Sequence, residues 1–189
     1  MVGMDIKPAT INRQNYTHFQ KDITSKDLPQ INDVEILINC AGVQEEGKEI
    51  EVNLKGTMNI TKKYGIQENI KSILFIASAS ARTGSEFPEY VASKGGVVSY
   101  MKNVAIQVAK YGATSNSLSP GGVITDLNNH ILNDAKLYKA VLDETMLGKW
   151  AKVEEIADFA YFMTVVNKSM TGEDIVVDNG ESLKSNFIW

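Results

Sequence analysis

The chain has 189 residues, 43% hydrophobic and 22% charged, with a formal net charge of -4. That length suits a single domain, residues 1–189, with a substantial core, and the acidic balance leaves no basic footprint for nucleic acid. No apolar run approaches the ~18 residues of a membrane span, and Met1-Val2-Gly3-Met4-Asp5 lacks the basic and apolar regions of a secretory signal.

The single cysteine, Cys40, allows no intramolecular disulfide and fits a reducing, cytoplasmic setting. His18 and His130 share no metal-ligand spacing, so no metal is expected.

In chain order, residues 2–5 read as a strand ending in an acid and 19–23 as the next. Residues 34–38 and 73–77 are nearly continuous apolar runs, as strands buried on both faces should be. Between 90 and 110 apolar side chains fall at Val97, Tyr100, Met101, Val104, Ala105 and Val108, which is helical spacing, and Gly112 is a stop signal. Residues 113–119 take a strand by position, although they are unusually polar. Val153, Ile156, Ala157, Ala160, Met163 and Thr164 outline another helix, and residues 175–177 are a third apolar run. Strands alternating with helices argue an α/β fold with a parallel sheet covered on both faces.

Tyr90 and Lys94 stand four residues apart, so one helical turn puts both on one face. A phenol with a pKa of ~10 is a poor acid or base at neutral pH. An ammonium held close favours the phenolate and pulls that pKa down. A hydroxyl from Ser78 would fix a substrate oxygen beside the phenol, giving a proton-transfer site for a carbonyl or alcohol. Ser80 is the alternative hydroxyl, and an ordinary exposed helix pair is the alternative reading of Tyr90 and Lys94.

Five segments surround that pair in order: Ile36-Leu37-Ile38-Asn39-Cys40-Ala41-Gly42, Val52-Asn53-Leu54-Lys55-Gly56, Ser72-Ile73-Leu74-Phe75-Ile76-Ala77-Ser78, Ser119-Pro120-Gly121-Gly122-Val123-Ile124-Thr125 and Thr171-Gly172-Glu173-Asp174-Ile175-Val176-Val177-Asp178-Asn179-Gly180. Together with Tyr-Val-Ala-Ser-Lys they resemble the short-chain dehydrogenase/reductase family, of the kind that includes 3-oxoacyl-acyl-carrier-protein reductases. The resemblance covers nearly the whole chain and implies a Rossmann-like, doubly wound parallel sheet.

It further implies that Tyr90 is the catalytic acid or base and that Lys94 lowers its pKa and holds the nicotinamide ribose. Ser78 would orient the substrate carbonyl. Asn53 matches a residue that supports a helix kink and a water relay to the lysine; a helix-capping role is the alternative. Asn39, Ala41 and Gly42 would border the coenzyme, with Asn39 mainly bracing the sheet, and Cys40 reads as a buried small apolar residue. Asp5, an acid at a strand end, would accept two ribose hydroxyls and favour NAD(H) over NADP(H). Asp22 and Ile23 resemble the adenine contact, with a turn cap before Ser25 as the alternative for Asp22. Pro120, Gly121, Val123 and Thr125 match the nicotinamide side.

Residues 126–150 correspond to a flap over the substrate, where His130 reads as a surface histidine. The tail Phe187-Ile188-Trp189 reads as a subunit contact in a homodimer or homotetramer.

The chain departs from the family at its start. No Gly-x-x-x-Gly-x-Gly occurs anywhere, and the first strand and helix have no counterpart, so the expected fold is N-terminally truncated. In the order 3-2-1-4-5-6 that strand is central. Without it, strands two and three would be separated from the rest, with two unpaired edges. A coding start placed too far downstream, a truncated relative and a rearranged sheet are the competing explanations. The connection from 43 to 52 is also too short for a full helix. The leading expectation is an NAD(H)-dependent oxidoreductase acting on a small-molecule ketone or secondary alcohol, with a 3-oxoacyl thioester as the best single substrate. The alternative is a non-catalytic remnant acting as an interaction or regulatory subunit.

Overall fold

A computed structural model of the protein describes residues 1–183. Among the described residues six strands form two separate parallel sheets. β1 (Val2–Asp5) pairs with β2 (Thr17–Gln20), and a second sheet has the order β3 (Ile36–Asn39), β4 (Ser72–Ile76), β5 (Thr114–Pro120), β6 (Asp174–Val177). Among the described residues no strand joins β1 to β3. The apolar strand β3 therefore keeps one bare edge, where Ile36 and Ile38 are 40% and 48% exposed.

Strand positions follow the sequence reading closely, with shifts of one to three residues. β2 begins at Thr17 and stops before Lys21, because Asp22 opens a turn in which its carboxylate accepts from the Thr24 amide and hydroxyl, both at 2.8 Å. β5 extends through Pro120. Its polarity is matched partner by partner rather than exposed. Thr114 donates to Ser72, Ser115 to the Met101 carbonyl, and Asn116 to the Met170 carbonyl. Ser117 and Ser119 both donate to one Asp174 oxygen at 2.7 Å. Buried polar groups are tolerated when paired in this way.

Six α-helical segments follow the strands: α1 (Thr57–Ile60), α2 (Ser80–Thr83), α3 (Pro88–Val108), α4 (Asn129–Leu132), α5 (Ala135–Asp143) and α6 (Val153–Tyr161). α3 opens on Pro88, whose fixed φ suits a first helical turn, after the extended Phe87. Its run ends at Gly112, which takes the left-handed conformation at φ 68°. α1 is flanked by π-helical turns at Ile50–Gly56 and Thr61–Gly65.

The main core lies between α3 and the sheet, with Ile73, Phe75, Val97, Met101, Val104 and Val108 buried. A second cluster, Ile23, Leu28, Ile60 and Tyr64, ties the small sheet to the helix spanning 50–65. That helix also donates side-chain hydrogen bonds to the segment after β2: Asn59 to the Ile23 and Ser25 carbonyls, Lys63 to Leu28, and Tyr64 to Pro29. The two sheets are thus held in place by a helix rather than by a shared strand ladder. Among the described residues no helix is long and apolar enough to cross a membrane. The expected contact at 187–189 lies outside the described residues.

Candidate active site

β4 delivers Ser78 just beyond its last residue, and the first turn of α3 delivers Tyr90 with Lys94 one turn later. All three line a cavity of about 590 Å³ at the carboxyl ends of the strands, together with the Pro120–Gly122 turn after β5. Ser78 is 8% exposed, and its oxygen accepts from the Ser80 amide at 3.2 Å and hydroxyl at 2.9 Å. Both candidate hydroxyls therefore sit together, with Ser78 bordering the phenol.

Lys94 is buried and donates to the Ile76 carbonyl at 3.0 Å, which leaves two N–H groups unclaimed by the protein. Burial lowers its pKa to about 8, with the neighbouring Cys40 and Glu86 acting in the opposite direction. Its ammonium lies 5.7 Å from the centre of the Tyr90 ring. The phenol itself is not pulled down. Burial first, and then the negative charge of Glu86, raise it above the ordinary tyrosine value, while Ser78 lowers it. The expectation that Lys94 makes Tyr90 ionise readily is corrected here: with its hydrogen bond directed to Ile76, the lysine leaves the phenol protonated at neutral pH.

Asn53 is 1% exposed inside the π-helical turn, so the helix-cap alternative does not apply. Its amide clamps Val43 from both sides, accepting from the amide at 2.7 Å and donating to the carbonyl at 2.9 Å, and it also donates to Ser93 on α3. A Cβ placed on Gly42 would lie 3.2 Å from Asn53 Oδ1 and 3.5 Å from Lys94 Nζ. The short loop after β3 thus runs tightly over the lysine. Asn39 is buried and donates to Thr61, the sheet-bracing role expected of it.

Gly121, Val123 and Thr125 line the cavity, as expected from the segment after β5. Gly122 packs flat against Trp150, where a Cβ would sit 2.2 Å from the indole. Ala41 and Gly42 are exposed at the end of β3. Cys40 is exposed there too, a correction to the buried residue expected, because the neighbouring edge of β3 carries no strand. Asp5 is exposed, and one carboxylate oxygen accepts from the Lys7 amide at 2.8 Å. Asp22 serves the Thr24 turn and Ile23 packs in the second core cluster against Gly56. Neither lines this cavity, which lies at the Ser78–Tyr90 end of the site.

Sequence reasoning missed Glu86 and Glu181 and set His130 aside; all three line the cavity. The signal for Glu86 was its place in the connection between Ser78 and Tyr90, both site residues, which must border the cleft. Glu181 follows the Asp178 turn, in which the carboxylate accepts from the Gly180 and Ser182 amides. Its carboxyl is raised by burial, with the Gly122 amide working against that rise.

The residues fit half of a nicotinamide dinucleotide. The two spare donors of a buried ammonium, beside a glycine that leaves them uncovered, suit ribose hydroxyls. For the pyrophosphate, the chain offers no glycine-rich turn ahead of a helix N-terminus.

A family model described as enoyl-(acyl carrier protein) reductase matches residues 28–182. A 3-oxoacyl-[acyl-carrier-protein] reductase of Chlamydia pneumoniae is 30% identical over 176 residues, which cover 85% of this chain and 70% of the relative. An L-rhamnose 1-dehydrogenase (NADP(+)) of Thermoplasma acidophilum is 28% identical, with 82% and 68% covered. Among solved structures, a proposed 2-deoxy-d-gluconate 3-dehydrogenase of Agrobacterium tumefaciens, with bound NADP, superposes with a TM-score of 0.81 at 26% identity, covering 90% of this chain and 78% of its own. A 4-hydroxyisoleucine dehydrogenase mutant complexed with NADH and succinate gives 0.84 at 23% identity, covering 98% and 89%, and shares the fold.

Proposed function

Because the chain belongs to the short-chain dehydrogenase/reductase family of oxidoreductases, we propose that it interconverts a ketone and a secondary alcohol with a nicotinamide coenzyme, NAD(H) in preference to NADP(H). The observation that carries this reading is the meeting of Ser78, Tyr90 and Lys94 in one cavity at the strand ends. The relatives' names span an acyl-carrier-protein substrate and a sugar, and a carbonyl–alcohol couple is the chemistry common to both.

The bound coenzyme would supply or accept the hydride. The chain's own residues manage the oxygen and its proton. Ser78 donates to the substrate oxygen and holds it beside the phenol; the Ser80 hydroxyl, already pointed at Ser78, keeps that side chain oriented. Tyr90, whose phenol carries its proton at neutral pH, gives it to the oxygen as charge develops there. Lys94 sits one turn away with donors to spare and stabilises the phenolate left behind. Asn53 holds the Val43 loop over the lysine. Asp5 supports the NAD(H) preference, because a strand-end carboxylate repels a 2′-phosphate.

The test is turnover of ketone substrates with NADH and with NADPH. Tyr90→Phe should cut kcat by about a thousandfold, within the range typical of general acid catalysis, with NADH binding retained by fluorescence titration. Asp5→Ala should narrow the NADH preference. Near-normal turnover in Tyr90→Phe would remove the proton-transfer role, and an unchanged coenzyme preference would remove Asp5 from the ribose site.

A further inference from the structure

We propose that Glu86 is a specificity residue of this cavity: its carboxylate accepts hydroxyl groups of an uncharged polyhydroxylated substrate and turns away substrates that carry a carboxylate. Three observations converge on this. Glu86 lines the same cavity as Ser78 and Tyr90, four residues before the phenol. It stands beside Ser80, whose hydroxyl is 2.9 Å from that of Ser78, so the carboxylate borders the place where the reacting oxygen must sit. The backbone holds it there at φ 138°, a left-handed conformation rare for a side-chain-bearing residue.

The charge of the cavity agrees. Two further carboxylates, Glu144 and Glu181, line it, while the cation Lys94 is buried and spends one hydrogen bond on the Ile76 carbonyl. Glu181 is pinned at the opposite turn, with an oxygen 2.7 Å from where a Gly121 Cβ would lie. An anionic substrate entering between these groups meets like charge from three carboxylates on the exposed side of the cavity. A polyol offers O–H donors to the same acceptors, and charge-assisted hydrogen bonds of this type are the stronger ones. His130, in the segment after β5, is among the further polar groups lining the cavity.

The fate of the bound molecule rests on the oxidoreductase reading; its recognition does not. The experiment is therefore a binding comparison on the whole chain, using D-glucitol and D-gluconate, which present the same hydroxyl chain with and without a terminal carboxylate. Isothermal titration should show glucitol bound at least tenfold more tightly than gluconate. Glu86→Gln should weaken glucitol at least fivefold and shrink that preference. Glu86→Gly, which relieves the backbone conformation while removing the carboxylate, should do the same, with circular dichroism unchanged. Gluconate bound as well as glucitol, no glucitol binding, or an unchanged preference in both variants would overturn the assignment. Glucitol bound but never oxidised with NAD or NADP would leave Glu86 in place and remove the oxidoreductase reading. Gluconate turned over in preference would do the reverse.

Discussion

The ammonium of Lys94 lies 5.7 Å from the centre of the Tyr90 ring while its hydrogen bond runs to the Ile76 carbonyl at 3.0 Å. The lysine is thus held by the sheet and not by the phenol. Its charge is buried for a purpose that stability does not serve.

Lys94→Met should therefore stabilise the fold while abolishing turnover. The folded pKa of about 8 lies below the ordinary lysine value of 10.5. As pH falls from about 10.5 to 8 the unfolded chain takes up a proton that the folded chain refuses, so stability drops across that window and the full penalty remains below it. The shift corresponds to about 3 kcal/mol at pH 7. Urea unfolding should show Lys94→Met more stable by roughly that amount at pH 7 and by much less at pH 10. A destabilised variant at pH 7 would contradict the burial penalty.

Asp174 should be the costliest single residue in β6. Its Oδ1 serves the buried Ser117 and Ser119 hydroxyls, and Arg82 lies 3.6 Å from its other oxygen. Asp174→Ala strands both hydroxyls, at a cost of about 2–4 kcal/mol in denaturant midpoint experiments. Adding Ser117→Ala and Ser119→Ala to that variant should recover part of the loss, because the stranded donors are gone. No recovery would show that the loss lies elsewhere.

Ile38→Lys should reduce self-association without weakening the fold. Ile38 is half exposed on the bare edge of β3, and charge on such an edge blocks strand pairing between molecules. Sedimentation should show fewer aggregates at high concentration, with stability changed by less than about 0.5 kcal/mol. Equal aggregation would point to another surface.

Much of this was legible in the sequence because hydrophobic burial writes itself into simple patterns. β3, β4 and β6 are short apolar runs, and α3 carries its core face at helical spacing. The separation of β1 and β2 from the rest followed from the missing motif. What was not legible depends on partners distant in sequence. β5 reads as a strand by position only, its composition being unusually polar, because its buried hydroxyls are satisfied by residues 14 to 57 positions away. The partners of Asp22 and Ile23 are of both kinds: the carboxylate caps the local Thr24 turn, and the isoleucine packs against the distant Gly56. The upward shift at Tyr90 arises from burial and from Glu86, neither of which spacing alone reveals.

The hydroxyl-rich strand β5 has one more implication. An oily central strand tolerates a slip of two positions, since one aliphatic group replaces another at little cost. Here each serine, threonine or asparagine has an acceptor at a fixed address, two of the serines sharing Asp174, so any slip would leave several of them thirsty at once. Such a strand behaves as a keyed insert: it admits one alignment of the sheet, and it cannot drift toward valine one position at a time without passing through intermediates that bury a bare carboxylate at Asp174.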